Sequence, residues 1–126
     1  MTEHGTFSWN ELMTGDTARC QAFYTDVLGW TTREMDMGEA GIYTIFRVGD
    51  RDVGGMMKMD GPQWDGIPPH WFSYITVDDV DARVAKVEAA NGKVIRPPFD
   101  VEGVGRIAII SDPSGAAIGL YKPTSQ

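Results

Sequence analysis

The sequence predicts an α+β fold in which two βαβββ modules form a curved mixed sheet around a concave cavity. Three observations carry this. Strand-like runs at Phe7–Asp16 and Pro68–Asp79 both end on an aspartate placed to cap a helix. A helix-like apolar pattern closed by a glycine follows each run. Displacing the chain by 63 residues puts Asp16 on Asp79, Ala22 on Ala85 and Gly29 on Gly92, and a displacement of 64 puts Gly41 on Gly105 and Gly55 on Gly119. These coincidences fall on caps and turns, where backbone geometry dictates the residue. A single βαβββ unit has a helix for one sheet face and nothing for the other, so two units side by side enclose a hollow.

The first module covers about 6–59. Phe7–Thr14 alternates, with Phe7, Trp9 and Glu11 on one face and Ser8, Asn10 and Leu12 on the other. Asp16 caps a helix whose stripe is Cys20, Phe23, Tyr24 and Val27, and Gly29 suits the left-handed position that ends it. Trp30–Asp36 reads as a strand, Met37–Gly41 as a turn, Ile42–Val48 as a strand rich in β-branched and aromatic residues, and Asp52–Met59 as a strand weakened by Gly54-Gly55. Residues 60–69 have the composition of a linker, with Trp64 in their midst. The second module, about 70–122, repeats the order: a strand at His70–Val77, an Asp79 cap, a Val80, Val84, Val87 stripe and Gly92 at the helix end. Lys93–Arg96 is a short strand stopped by Pro97-Pro98. Strands at Arg106–Ser111 and Ala116–Tyr121 flank an Asp112-Pro-Ser-Gly115 turn, and Lys122–Gln126 should fray.

The chain has 126 residues, 42% of them hydrophobic and 23% charged, enough for one domain with a real core. Eighteen acidic against eleven basic residues give a formal charge of −7, interspersed along the chain. With no basic stripe, nucleic acid is a poor partner, and there is no cationic amphipathic face for an anionic membrane. No apolar run is long enough to span a bilayer, and the N-terminus has no targeting pattern, so a cytoplasmic protein is expected. Cys20 is the only cysteine; a disulfide within the chain is excluded, and its place on the stripe suits an inert core thiol. Phosphate-cradling and dinucleotide-binding glycine motifs are missing, and His4 and His70 are too few for a histidine cluster or a serine–histidine–aspartate set.

Glu11 stands out as the catalytic candidate. It shares the face of Trp9, and an apolar cavity disfavours a charged carboxylate, which suits a general acid or base. A salt bridge or the capping of backbone amides is the bland alternative. Its counterpart in the second module is Tyr74. His70 falls on the Phe72 face, where it reaches the same cavity or stays structural beside Pro68-Pro69. Arg96 and Arg106 flank the 97–105 loop and could clamp an anionic substrate or remain solvated.

Asp16–Trp30, with its Phe-Tyr…Val-Leu-Gly-Trp ending at 23–30, and Ser-Asp-Pro-Ser-Gly at 111–115 resemble the vicinal oxygen chelate superfamily. That group includes glyoxalase I, extradiol dioxygenases and bleomycin resistance proteins, and the resemblance covers essentially the whole chain. It implies the glyoxalase/bleomycin-resistance architecture and, in metal-dependent members, a His, Glu or Gln ligand on the first and fourth strands of each module. Carried over by register, those positions here are Trp9, Gly55, Phe72 and Gly119, none with a donor for a divalent ion. Neither a metal nor another cofactor is therefore expected. Aromatic rings at positions 9 and 72, with glycines beside them, suit a cavity for a flat or apolar ligand; equally, they can fill a barrel core. Met57 shares the face of Gly55 and Tyr121 that of Gly119, adding adaptable lining.

The resulting expectation is a protein that binds a small apolar or aromatic molecule through Trp9, Met57, His70, Phe72, Tyr74 and Tyr121. One alternative is a metal-independent lyase or isomerase related to glyoxalase I. There Glu11 shuttles a proton, and Tyr74 or His70 donates to the developing oxyanion. A metal-dependent lactoylglutathione lyase is the third reading, which the missing ligands oppose. The linker of about ten residues permits the two modules to pair within one chain or across a dimer, the resemblance is compatible with both, and a homodimer is expected.

Overall fold

The computed structural model describes residues 3–124, the side chain of Ala40 excepted. Its backbone contacts divide the chain into two compact units, residues 9–71 and residues 1–8 with 72–126.

In the 9–71 unit, β1 (Thr6–Thr14, of which 9–14 belong here) runs parallel to β4 (Arg51–Lys58), with Glu11 opposite Gly55 and Leu12 opposite Met56. β4 pairs antiparallel with β3 (Ile42–Val48), and β3 with β2 (Thr31–Asp36). The helix α1 (Thr17–Leu28) forms between the predicted cap and terminating glycine. The Asp16 side chain accepts from the Arg19 backbone N–H at 3.1 Å, and Gly29 closes the helix in a left-handed conformation, φ 74°.

The apolar stripe of α1 is narrower than its spacing suggests. Cys20 and Tyr24 pack on the cluster of Leu12, Phe46 and Met56, but Phe23 and Val27 are exposed. The half-buried face also takes in Thr17, Gln21 and Thr25, and Gln21 bonds Thr32 across to β2 at 3.2 Å. Tyr24 stacks on Trp30, which tilts against Phe46 with ring centroids 4.9 Å apart. Trp71 meets the same group edge-on.

The other unit repeats the plan. β5 (His70–Thr76, of which 72–76 belong here) runs parallel to β8 (Ala117–Pro123), which pairs antiparallel with β7 (Gly105–Ser111), and that in turn with β6 (Lys93–Val101). Val80 and Val84 of α2 (Val80–Val84) pack on Val77, Ala108 and Leu120.

Three expectations for this half need correction. First, α2 is a short helix that tightens after Val84 into three-residue turns, such as Val87 N–H to Val84 C=O at 3.0 Å. Its left-handed end falls on Asn91, φ 72°, not on Gly92, where a side chain would press on the Ser111 carbonyl. Second, β6 does not stop at Pro97-Pro98 but continues to Val101. It is the last strand of its unit, so prolines lose no ladder partner on the outer side, and two shifts of register absorb them. Third, the C-terminal stretch does not begin to fray at Lys122. β8 includes Lys122 and Pro123, and the Thr124 N–H reaches the Val104 carbonyl at 3.0 Å; residues 125–126 lie outside the described residues. The 112–115 turn forms as expected, with the Gly115 N–H on the Asp112 carbonyl at 2.9 Å and the Asp112 carboxylate accepting from Ser114 and Ala116.

No described helix is long and apolar enough to cross a membrane.

Candidate functional site

Strand register decides which side chains share a face. In the 9–71 unit Glu11 and Ile45 are both paired with Gly55, so their side chains leave the sheet on one side. Trp9 and Met13 on β1, Tyr43 on β3 and Met57 on β4 follow by alternation. The opposite side carries Leu12, Phe46 and Met56 against the helix. Glu11 therefore points where the alternation in β1 placed it, away from the helix and only 6% exposed.

Tyr43 joins this face into a network. Its phenol oxygen accepts a hydrogen bond from the Trp9 indole N–H at 2.8 Å and is also hydrogen-bonded to the Glu11 side chain. The Tyr43 oxygen thus sits between the Trp9 indole and the buried Glu11 side chain. Burial foremost, and then the Glu11 charge, push the Tyr43 phenol well above the ordinary tyrosine value, against the opposing pull of the Trp9 N–H.

Gly55 is what admits this tyrosine. A Cβ at position 55 would overlap the Tyr43 phenol oxygen and ring. The glycine thus supplies space for a residue two positions along the neighbouring strand, rather than room for an outside molecule.

The same device recurs in the other unit. A Cβ at Gly119 would overlap the ring of Tyr74, which is buried and packs edge-on against Phe72 with centroids 5.2 Å apart. Tyr121, half-buried, donates to the Val104 carbonyl at 3.2 Å, and burial raises its phenol pKa. His70 Nδ1 lies 2.9 Å from the Pro68 carbonyl, a local bond that ties the ring to its own turn. Met57 is half-buried on the Gly55 face.

Of the sequence candidates, Trp9, Glu11 and Met57 thus share a face in one unit, and Phe72, Tyr74 and Tyr121 occupy the other. Two open grooves, of about 420 and 380 Å³, lie in the unit containing 72–126. The larger includes Arg106 and Lys122 and the smaller His4 and Thr76; of the sequence candidates, only Arg106 lines either. Arg106 is engaged by Asp81 and Asp100, each at 3.0 Å, and Arg96 lies over the Phe99 ring at 3.6 Å. Cys20 Sγ rests 3.6 Å from the Thr14 hydroxyl.

Tyr43 was missed by sequence reasoning. Alternation within Ile42–Val48 separates Tyr43 and Ile45 from Thr44 and Phe46, but only the pairing of β3 with β4 shows which glycine the ring covers.

Residues 6–120 match the family described as the glyoxalase/bleomycin resistance protein/dioxygenase superfamily. The chain belongs to this superfamily. It is 43% identical over 126 residues to "Putative glyoxylase CFP32" of Mycobacterium tuberculosis, and 36% identical over 129 residues to the "Anthracycline biosynthesis protein DnrV" of Streptomyces peucetius. These matches take in 100% and 94% of the chain but 47% of each relative, so the chain spans about half the length of the curated relatives it matches. Among solved structures it is similar in fold to a methylmalonyl-CoA epimerase from Mycobacterium tuberculosis, with a TM-score of 0.70 and 19% identity over 96% of this chain and 89% of that one. It is likewise similar to the Mn(II)-bound glyoxalase from Novosphingobium aromaticivorans, with a TM-score of 0.62 and 21% identity over 97% of this chain and 40% of that one.

The superfamily's divalent metal finds no donor set at its usual positions in this member. Trp9 and Phe72 offer no lone pair suited to a metal, and Gly55 and Gly119 are covered by tyrosine rings. Among the described residues no group of three or more His, Cys, Asp or Glu is close enough to hold an ion.

Proposed function

We propose that this superfamily member binds a small, flat, apolar or aromatic molecule on the sheet face that carries Trp9. The observation that carries the reading is the Trp9–Tyr43 hydrogen bond, which fixes the half-buried indole as a preorganised stacking surface. Support comes from a relative named for anthracycline biosynthesis, since anthracyclines are planar aromatic compounds. Within the same unit Met57 adds half-buried, adaptable surface on the Trp9 face, and the other unit carries an aromatic pair of its own in Phe72 and Tyr74. An anthraquinone titrated into the chain should quench tryptophan fluorescence saturably. Trp9→Ala should weaken binding about tenfold, corresponding to about 1.4 kcal/mol of lost stacking. A chelator should leave the affinity unchanged. Equal affinity in Trp9→Ala would remove Trp9 from the site.

A second reading is favoured by the burial of Glu11: a metal-independent lyase or isomerase in which its carboxylate takes and returns a proton beside a carbonyl. The relative named as a glyoxylase supports the reaction class. This reading requires a glyoxalase-type turnover that Glu11→Gln reduces at least about a hundredfold, the contribution expected of a general base, with the fold intact. Turnover unchanged in Glu11→Gln would dismiss it. We further place the protein in the cytoplasm as a homodimer, for which the exposed Phe23, Val27 and Leu28 on α1 offer apolar surface.

A further inference from the structure

The groove of about 380 Å³ in the unit of residues 1–8 and 72–126 is lined by His4, Thr76, Val77, Asp78, Lys122 and Pro123. Two hydrogen bonds build it. The Gly5 N–H donates to the Thr76 carbonyl at 2.7 Å, and the Asp78 N–H donates to His4 Nδ1 at 2.9 Å, which pins residues 4 and 5 across the end of β5. A backbone N–H can only donate, so Nδ1 is the acceptor and the proton of the neutral ring is on Nε2.

The donors of this wall lack acceptors. The Thr76 hydroxyl is buried, in a residue 5% exposed, and no described group bonds it. Neither His4 Nε2 nor the Lys122 ammonium has a partner among the described residues. Lys122 also lines the larger groove, where Asp100 is taken by Arg106. Asp78, the carboxylate of the smaller groove, is held at both oxygens by the Arg83 guanidinium, each at 2.9 Å, so its charge is offset.

We infer that this groove is a binding site for a small oxyanion, the carboxylate or phosphate group of a small molecule. Lys122 supplies the counter-charge, His4 Nε2–H and the Thr76 hydroxyl donate hydrogen bonds, and Val77 and Pro123 form apolar walls. Turning toward the anion costs the Thr76 hydroxyl no existing bond, since it has none to give up. The formal charge of −7 repels anions at long range, so binding depends on contact with these three groups. The site is independent of the Trp9 face, which belongs to the other unit.

NMR titration of the isotope-labelled full chain with inorganic phosphate and with acetate, at an ionic strength held constant with chloride, tests this. The Asp78 amide and His4 ring signals should shift saturably, and the tighter of the two anions identifies the group the site takes. Lys122→Gln should weaken that anion at least about tenfold, the loss expected for a hydrogen bond to a charged group. Thr76→Val keeps the shape and removes the hydroxyl; it should weaken binding severalfold yet leave the protein at least as stable, because an unpartnered buried hydroxyl costs stability. A merely structural threonine would show the reverse, lost stability with unchanged affinity. Thr76→Ser, which restores a hydroxyl, should bind as the original does. Shifts that do not saturate with either anion, or unchanged affinity in Lys122→Gln or in Thr76→Val, overturn the site. A Thr76→Val chain that fails to fold also overturns it, since the hydroxyl would then already be engaged.

Discussion

Gly55→Ala is expected to destabilise the fold by about 3 kcal/mol, whereas a glycine to alanine change at an unstrained strand position ordinarily stabilises by roughly 0.5–1 kcal/mol. Backbone strain is not the cause, since Gly55 is not among the glycines with positive φ. The cause is space: the new methyl group would occupy the volume of the Tyr43 phenol. The neighbouring strands are fixed by pairing on both sides of Gly55, to Glu11 and to Ile45, so the sheet cannot move aside and the tyrosine must. Moving it breaks the bond to Trp9 and the contact with the buried Glu11, so overpacking and lost hydrogen bonding act together. Urea denaturation of the single variants and of Gly55→Ala with Tyr43→Ala would check this. The combined variant should be much more stable than the sum of the separate losses predicts, because the second change removes the clash made by the first. A Gly55→Ala protein within about 0.5 kcal/mol of the original would show that Tyr43 does not need the space.

Much of this fold was legible because the decisive residues act locally. Asp16 and Asp79 cap helices through a side-chain oxygen and an N–H three residues on, and Gly29 ends its helix through its own φ. The alternation of β1 likewise placed Trp9 and Glu11 on a common side. What the sequence could not show was cross-strand identity. Gly55 and Gly119 suit an opening for a ligand and the accommodation of a packed core equally, since a glycine in a strand marks a close approach without naming what approaches. In both cases it is a tyrosine, but by different routes: Tyr43 comes from the next antiparallel strand, and Tyr74 from the parallel partner of β8. Phe23 and Val27 illustrate the opposite limit. Their helical spacing is correct, yet both remain exposed, while Cys20 and Tyr24 on the same helix pack on the core cluster. Pro97-Pro98 stopped a strand on paper because a proline cannot serve a central ladder, a rule that does not apply to the outermost strand of a unit.

Raising the pH above about 10 should expose Tyr43 as a titrating contributor to stability. An unfolded tyrosine gives up its proton near pH 10, whereas the folded Tyr43 holds its proton to higher pH because burial and the Glu11 charge both oppose a phenolate. Over that interval the folded state binds one more proton than the unfolded state, so stability falls as pH rises, by up to about 1.4 kcal/mol per pH unit. Below about pH 10 the contribution is fully present and the profile from this group is flat. Tyr121, raised by burial, adds a slope of the same sign, so the comparison must isolate Tyr43. Urea denaturation at about pH 9 and about pH 11 should show the original protein losing roughly 1 kcal/mol more than Tyr43→Phe. Glu11→Gln should fall between them, since it removes the charge but leaves the burial. Equal losses in all three proteins would mean that Tyr43 ionises as freely when folded as when unfolded, and that its place between Trp9 and Glu11 does not hold its proton.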